Sequence, residues 1–163
     1  MSDLFSLEGR VALVTGASRG LGWAIAEALA GHGAHVVLSS RDQSALDARA
    51  AELEQRGQSA QALAFDAADR AAGAEAVAAV QGEHGRLDIL VNNAGINHRE
   101  PLADLDDGDW DRVIETNLTS VMRLSRDAGR HMAARGHGRI VNTASIMSLV
   151  ARPGIAPRKY SYS

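Results

Sequence analysis

The sequence contains no cysteine, a single lysine among its 163 residues, and no surplus of positive charge. The absence of cysteine excludes disulfides, thiolate catalysis and cysteine zinc sites, and it fits the cytoplasm, where we expect the protein to reside. The net charge of −3 argues against nucleic acid as a partner, because binding a phosphate backbone requires a basic surface. No apolar run approaches the roughly 20 residues of a membrane span, and the first ten residues lack a signal-peptide pattern. We therefore expect no membrane partner.

The chain instead alternates short apolar runs with longer helical stretches. The apolar runs predict five strands, over residues 10–15, 34–39, 60–65, 87–93 and 138–145. The stretches between them predict four helices, over residues 20–33, 42–57, 68–84 and 109–136. This order predicts an α/β fold with a doubly wound parallel sheet, Rossmann-like, in strand order 3-2-1-4-5. Asp42 is placed to cap the second helix, and Asp107 or Asp109 the fourth.

A glycine-rich turn, TGASRGLG, follows the first strand directly and opens the first helix. Its glycines allow a tight backbone that a diphosphate can approach closely, and the N-terminus of the helix favours an anion. No Lys-Ser or Lys-Thr pair follows, which argues against a nucleoside-triphosphate loop. The turn therefore predicts a dinucleotide site at Thr15, Gly16, Ser18, Arg19, Gly20, Leu21 and Gly22.

The Gly-x-x-x-Gly-x-Gly spacing occurs together with NNAG at residues 92–95, Asn117 in the fourth helix and Ser145 after the fifth strand. In this combination the sequence resembles the short-chain dehydrogenase/reductase family through about residue 157. It looks most like the gluconate 5-dehydrogenase and 3-oxoacyl-carrier-protein reductase branches, which the motifs do not separate. The resemblance implies an NAD(P)-dependent oxidoreductase that moves a hydride between the nicotinamide and a small carbonyl or alcohol substrate. It also implies a homo-oligomer, which is doubtful for so short a chain.

The residues after the second strand indicate which nicotinamide cofactor is preferred. An acidic residue there would bond the ribose hydroxyls of NAD, but the strand ends in Ser39, Ser40 and Arg41. Arg41 can pair with a 2′-phosphate, and Arg19 can reach the same group. The alternative is that both arginines are solvated loop residues. We favour NADP(H) over NAD(H) and place Ser40 and Arg41 in the site.

Later strand ends supply the remaining predicted cofactor contacts. By resemblance, Asp66 would hydrogen-bond the adenine edge, with Ala67 beside it; alternatively, Asp66 caps the next helix. Asn92 is expected to brace the sheet. The residues that follow it lie at the carboxyl edge of the sheet, where such folds bind ligands, and we expect them to contact the cofactor: Asn93, Ala94 and Gly95.

The resemblance assigns catalytic roles to Ser145 and Asn117. The serine hydroxyl would hydrogen-bond the substrate oxygen as charge develops there, and the asparagine would hold a water that passes the proton outward. An ordinary strand-end hydroxyl and an exposed helical amide are the alternatives. A buried amide in so apolar a helix would need a hydrogen-bond partner.

The Tyr-x-x-x-Lys pair that completes the family's proton transfer is not at its expected positions. Counted from Ser145, the tyrosine belongs at position 158 and the lysine at 162, where the sequence has Arg158 and Tyr162. Lys159 and Tyr160 are adjacent, so a helix would point them about 100° apart.

Three interpretations of this ending stay open. The reading frame has shifted, the chain is a fragment with a foreign tail, or it is a genuine short protein. We accordingly expect one dinucleotide-binding domain over residues 1–157, truncated after the fifth strand, an aberrant tail at 158–163, and impaired catalysis. The unpaired fifth strand would form a sheet edge. The alternative function is a non-catalytic NADP(H)-binding half-domain or a partner of a full-length homologue.

No metal site is expected. The six histidines show no ligand spacing and are predicted to lie at the surface. The acidic run at residues 104–111 fails as a calcium loop, because Ala103 and Ile114 would occupy its first and last positions. Trp23 and Trp110 are expected to pack rather than to stack on a ligand.

Overall fold

The computed structural model describes residues 3–101 and 103–145. Five parallel strands form one sheet in the order β3-β2-β1-β4-β5, which confirms the predicted α/β fold. The strands are β1 Val11–Thr15, β2 His35–Ser39, β3 Ala60–Ala62, β4 Ile89–Asn92 and β5 Arg139–Asn142. The α-helices are α1 Gly20–Gly31, α2 Gln43–Gln55, α3 Arg70–His84, α4 Asp107–Ile114 and α5 Ser120–Ala134. A short 3-10 helix covers Asp3–Phe5. The predicted tail at 158–163 lies outside the described residues.

The two faces of β1 are covered by different helices. Leu13 pairs in register with Val37 of β2 and Leu90 of β4, so β1 is the central strand. Ala12 and Val14 pack into the layer with α1 and α2, whereas Val11 and Leu13 pack into the layer with α3 and α5. Because both faces are covered, every residue of β1 is buried and the strand consists of a continuous apolar run ending in threonine.

Three helices begin with an aspartate cap, but only one of these caps was predicted correctly. The Asp42 carboxylate accepts a hydrogen bond from the Ala45 N–H at 3.0 Å, as expected. Asp106, rather than Asp107 or Asp109, caps α4 because its backbone is extended and its carboxylate reaches the Asp109 N–H at 2.8 Å. Asp69 caps α3, so the alternative role of Asp66 as a helix cap is wrong. A run of several aspartates offers more caps than a helix start can use.

The predicted helix at 109–136 is interrupted by a wider turn. A π-helical turn, Glu115–Thr119, joins α4 to α5. The helix then ends at Ala134, close to Gly136, whose φ of 68° confirms it as the helix terminator. π-helical turns are rare and often lie at functional sites, and this one contains Asn117. None of the helices in the described part has the length and apolar character needed to cross a membrane.

His35 and His84 pack against each other between the sheet and helix α3. The rings of His35 on β2 and His84 on α3 lie 4.4 Å apart, and both residues are half-buried. The prediction of surface histidines is therefore wrong for this pair. Burial lowers the pKa of His35, and the neighbouring His84 lowers it further. Trp23 packs in the core, as predicted.

Strand β5 lies at the edge of the sheet. Within residues 3–101 and 103–145 it pairs only with β4, as expected. Ile140 and Val141 stay exposed there.

The amino end of the sheet is held by the carboxylate of Asp88, which is 1% exposed. It accepts hydrogen bonds from the Val11 N–H at 2.9 Å and from Arg86 Nε and Nη2 at 2.6 and 2.7 Å, and Arg10 lies 3.6 Å away. Burial would raise the pKa of Asp88, but these hydrogen bonds and charges outweigh it and hold the pKa below its usual value. The ionised carboxylate therefore joins β1 to the start of β4.

We predict that Asp88→Asn lowers the free energy of unfolding by about 1 to 2 kcal/mol at neutral pH, because it weakens the charge-assisted hydrogen bonds that the carboxylate accepts from Arg86 and the Val11 N–H. The folded-state pKa of Asp88 is depressed. Ionised Asp88 therefore contributes its full stabilisation at pH values above the pKa of an aspartate in the unfolded chain, near 4. This contribution is lost as the pH falls through the lower pKa of Asp88 in the folded protein. Urea unfolding from pH 7 to 2.5 should show the two proteins converging below about pH 4. A stability difference that stays constant over this range would contradict the prediction.

Candidate functional site

A cleft of about 980 Å³ runs along the carboxyl edge of the sheet. Among the predicted cofactor-binding residues, Leu21 and Gly22 do not line it, and the other residues do: Thr15, Gly16, Ser18, Arg19, Gly20, Ser40, Arg41, Asp66, Ala67, Asn93, Ala94 and Gly95. The structure thus gathers residues from four separate strand ends into one cavity. This is where open α/β sheets bind ligands.

The glycines of the turn after β1 serve different geometric purposes. Gly16 and Gly20 have φ angles of 67° and 60°, which side-chain-bearing residues rarely adopt. Gly22 packs directly against the Gly16 carbonyl and the Asn93 amide, so that a Cβ there would overlap both. Gly22 therefore lets helix α1 close onto the turn, behind the cleft rather than in it. Leu21 is 58% exposed at the start of the helix.

Thr15 joins this turn to the NNAG segment. Its hydroxyl donates to the Val91 carbonyl at 3.2 Å and accepts from the N–H groups of Asn93 and Ala94, both at 3.0 Å. The Asn93 amide in turn donates to the carbonyls of Thr15 and Gly16 at 3.2 and 3.3 Å. The hydrogen-bonding capacity of the threonine hydroxyl is thereby used within the protein. In this geometry Thr15 positions other cleft residues.

Asn92 braces the sheet, as predicted. Its side-chain amide donates to Ser125 Oγ on α5 and to Asn142 Oδ1 on β5, both at 2.9 Å. The pairing continues past the end of β5, where the Thr143 N–H donates to the Asn92 carbonyl at 2.9 Å. Ser145, which is half-buried, follows two residues later and is carried to the same edge of the sheet.

Asn117 is 8% exposed, which excludes the alternative of an exposed helical amide. Its Oδ1 accepts from the Ile96 N–H, and its Nδ2 donates to the Ile96 carbonyl, both at 2.9 Å. A Cβ on Gly95 would lie 3.3 Å from Asn117 Oδ1, a tight contact that would displace the amide slightly. The Asn117 side chain thus connects the π-helical turn to the loop after β4 through two hydrogen bonds. The expected water-holding role stays a prediction.

Two arginines without an ion-pair partner in the described residues mark one end of the cleft. Arg19 and Arg41 are exposed there, and neither forms an ion pair with any residue in the described ranges. The carboxylate of Asp42 is used as the cap of α2. Ser40 Oγ accepts from the Asp42 N–H at 3.2 Å, which orders the loop next to Arg41. This end is therefore suited to an anionic group.

The opposite end contains a charged cluster that the sequence spacing did not reveal. His98 Nε2 lies 2.9 Å from Glu100 Oε2 and 3.2 Å from Asp109 Oδ2. The possible ligand atoms of these three residues lie within 4.8 Å of one another. The His98 side chain is 29% exposed. The contacts of the imidazole with the two carboxylates hold the three side chains together, and the function proposed below uses no metal.

Comparison with known proteins identifies the family. The model of the short chain dehydrogenase family matches residues 10–163. The chain belongs to the short chain dehydrogenase family. The resemblance drawn from the glycine turn, NNAG, Asn117 and Ser145 is thereby confirmed.

Relatives in this short chain dehydrogenase family include both branches that the motifs suggested. A gluconate 5-dehydrogenase of Gluconobacter oxydans is 47% identical over 155 residues, which are 95% of this chain and 60% of that protein. A 3-oxoacyl-[acyl-carrier-protein] reductase of Escherichia coli is 40% identical over 151 residues, 93% of this chain and 61% of that protein. The chain therefore spans about 60% of the length of these curated relatives.

Solved structures of the family share the fold closely. A gluconate 5-dehydrogenase of Burkholderia cenocepacia J2315, crystallised with NADP and tartrate, superimposes with a TM-score of 0.91 at 39% identity, covering 98% of this chain and 63% of that one. A metagenomic short-chain oxidoreductase in complex with NADP gives a TM-score of 0.92 at 38% identity, covering 99% and 72%.

Several cleft residues were missed by sequence reasoning. They are Ser39, Asp42, Ala45, Phe65, Ala68, Ile96, Asn97, His98, Arg112 and Thr116. Ile96 to His98 directly follow NNAG, so continuing the predicted loop would have found them. Thr116 neighbours Asn117 and was hidden because the helix was predicted to be regular. The positions of the Tyr-x-x-x-Lys pair lie outside the described residues.

We predict that Gly22→Ala lowers the free energy of unfolding by about 1 to 3 kcal/mol, because its methyl group would overlap the Gly16 carbonyl. Gly82→Ala is the matched control. Gly82 lies within α3, and a Cβ there would meet nothing within 4 Å. That variant should be stabilised by about 0.5 to 1 kcal/mol. Urea unfolding of both variants measures the contrast, and equal effects would contradict it.

Proposed function

We propose that this chain provides the cofactor-binding part of an NAD(P)-dependent short-chain oxidoreductase that acts on a small carbonyl or alcohol substrate. The observation that carries the proposal is the start of α1. Helices α2, α3 and α4 are each capped by an aspartate, but no side chain caps α1 at Arg19. The first N–H groups of α1 are therefore left for an external anion, such as a diphosphate.

The residues around this helix start fit a dinucleotide. A Cβ on Gly16 would lie 3.0 Å from the Ala94 Cα, so only a glycine lets the two segments meet this closely. The cleft extends from this turn toward Arg41 on one side and toward Ile96 on the other. Asp66, which follows β3, lines the same cleft; its Oδ1 accepts a hydrogen bond from the Ala68 N–H at 3.0 Å, and its other carboxylate oxygen has no hydrogen bond within the described residues. It is available for the adenine edge, as the resemblance implies.

The arginine pair favours NADP(H) over NAD(H). Arg19 and Arg41 form no ion pair within the described part of the chain, and a guanidinium group matches phosphate geometry. The Burkholderia relative and the metagenomic relative were each crystallised with NADP. The 2′-phosphate would therefore meet Arg19 and Arg41, with Ser40 beside them.

The nicotinamide, when bound, supplies or accepts the hydride. The chain's own residues orient the reactants and handle charge. Ser145 would donate a hydrogen bond to the substrate oxygen. Asn117 holds the loop after β4 through Ile96, which fixes the side of the cleft opposite the arginines.

Residues beyond Ser145 would complete proton transfer and the substrate pocket. The relatives' names make sugar acids and 3-oxoacyl compounds the first substrates to test. Assembly into a homo-oligomer and a cytoplasmic location are part of this proposal.

A second candidate is a half-domain that binds NADP(H) without turnover. It is favoured by one observation, the arginine and tyrosine that stand at positions 158 and 162 in place of the Tyr-x-x-x-Lys pair. Fluorescence titration with NADPH followed by a turnover assay separates the two candidates. Binding with turnover supports the oxidoreductase, and binding alone supports the half-domain. The absence of binding to either NADPH or NADH overturns both.

We predict that Arg41→Ala weakens NADPH binding by about tenfold to a hundredfold, since it removes a charge-assisted contact worth roughly 1.5 to 3 kcal/mol. NADH binding should change less than about threefold, since NADH lacks the 2′-phosphate. Arg130→Ala is the control with the same charge change, because Arg130 is 73% exposed on α5 and does not line the cleft. Titration of each variant with both cofactors tests this. Equal losses for NADPH and NADH would contradict it.

A further inference from the structure

Arg49 on α2 reaches across to the glycine-rich turn. Its Nε donates a hydrogen bond to the Ser18 carbonyl at 3.2 Å, 31 residues earlier in the sequence. Its guanidinium carbon lies 4.5 Å from the centre of the Trp23 ring. Its Nη1 also pairs with Glu52 at 2.8 Å. The guanidinium group is thus held by three neighbours, and one of them is the backbone of the turn.

The segment from Ser18 to Arg19 depends on this contact. The first half of the turn is fixed by other bonds, because the Ala17 N–H donates to the Ser39 carbonyl at 2.9 Å and the Gly16 carbonyl accepts from Asn93. Helix α1 begins at Gly20. Between these points, Arg49 supplies the hydrogen bond that the structure gives to the Ser18 backbone from outside the turn.

Arg49 does not itself line the cleft, although Ala45, one helical turn earlier on α2, does. Its side chain instead lies behind the turn, against Trp23, which is buried in the core. A cation over an aromatic face and a donor aimed at a carbonyl fix the direction of the guanidinium plane. The bonded carbonyl belongs to the peptide group that joins Ser18 to Arg19, so its position determines the position of the Arg19 backbone nitrogen.

We propose that Arg49 is a positioning residue that holds the Ser18–Arg19 segment in place and thereby sets the preference for a 2′-phosphorylated cofactor. The proposal rests on the proposed function for its second half. Arg49 acts through Arg19, which lines the cleft and directly follows the bonded Ser18 carbonyl. The positioning of the Ser18–Arg19 segment and the cofactor preference are each tested by a separate measurement.

The first readout is the NMR order parameter of the backbone amides of residues 18–20 in the cofactor-free protein, which reports fast motion of this segment. Arg49→Met should lower these order parameters, because the Ser18 carbonyl loses its bond from outside the turn. Arg49→Lys should do the same, since lysine keeps the charge but has no planar group to stack and bond at once. Glu52→Gln is the control, because it removes a partner of Arg49 and keeps the contact with Ser18. Unchanged order parameters in both Arg49 variants overturn the proposal.

The second readout is the ratio of the dissociation constants for NADPH and NADH. In Arg49→Met and Arg49→Lys, NADPH binding should weaken about tenfold and NADH binding less than about threefold. A lysine variant that binds like the wild type would show that charge alone suffices and would overturn the positioning role. Thermal melting by circular dichroism confirms that each variant is folded.

The two proposals fail in different ways. If the wild-type chain binds neither cofactor, the proposed function is overturned and the cofactor preference assigned to Arg49 falls with it. If the wild type prefers NADPH but the Arg49 variants keep that preference, the positioning role alone is overturned.

Discussion

The hydroxyl of Thr15 holds together the two loops that form the cleft. It lies at the end of the most buried strand, where a side chain with one donor and two acceptor sites can join a neighbouring strand and two backbone amides at once. A valine of similar shape would fit the space but would leave the half-buried N–H groups of Asn93 and Ala94 without this acceptor. Because this bond network is internal, the glycine turn and the NNAG segment keep a fixed separation in the absence of any ligand.

Around that fixed centre, the chain divides its polar groups between support and recognition. Asn92, Asn117 and Thr15 are buried, and their side chains bond neighbouring protein groups. Arg19 and Arg41 are exposed and face an open cavity. The three buried side chains are thus hydrogen-bonded within the protein, and the two exposed arginines can pair with an anionic ligand. This separation underlies the assignment of the arginine end to a phosphate.

The fold and most of the cofactor cleft could be predicted from the sequence because their signals are local. Apolar runs define strands, and glycines at fixed offsets define the turn that follows β1. Features that depend on contacts across the chain were not predictable in this way. The bond from Arg49 to Ser18 spans 31 residues, and the cluster around His98 joins a loop to helix α4. The π-helical turn at Asn117 was also not predicted, because a wider helical turn has no distinct pattern of apolar residues.

The carboxylate of Asp88 and the tilted ring pair of His35 and His84 lie at the amino end of the sheet, away from the cleft at its carboxyl edge. Neither Asp88 nor the two histidines line the cleft. Substitutions at the amino end can therefore change the stability of the fold without removing a group that lines the cavity. At the carboxyl edge the two properties are coupled, because the same glycines and the same threonine shape the cavity and hold the loops together.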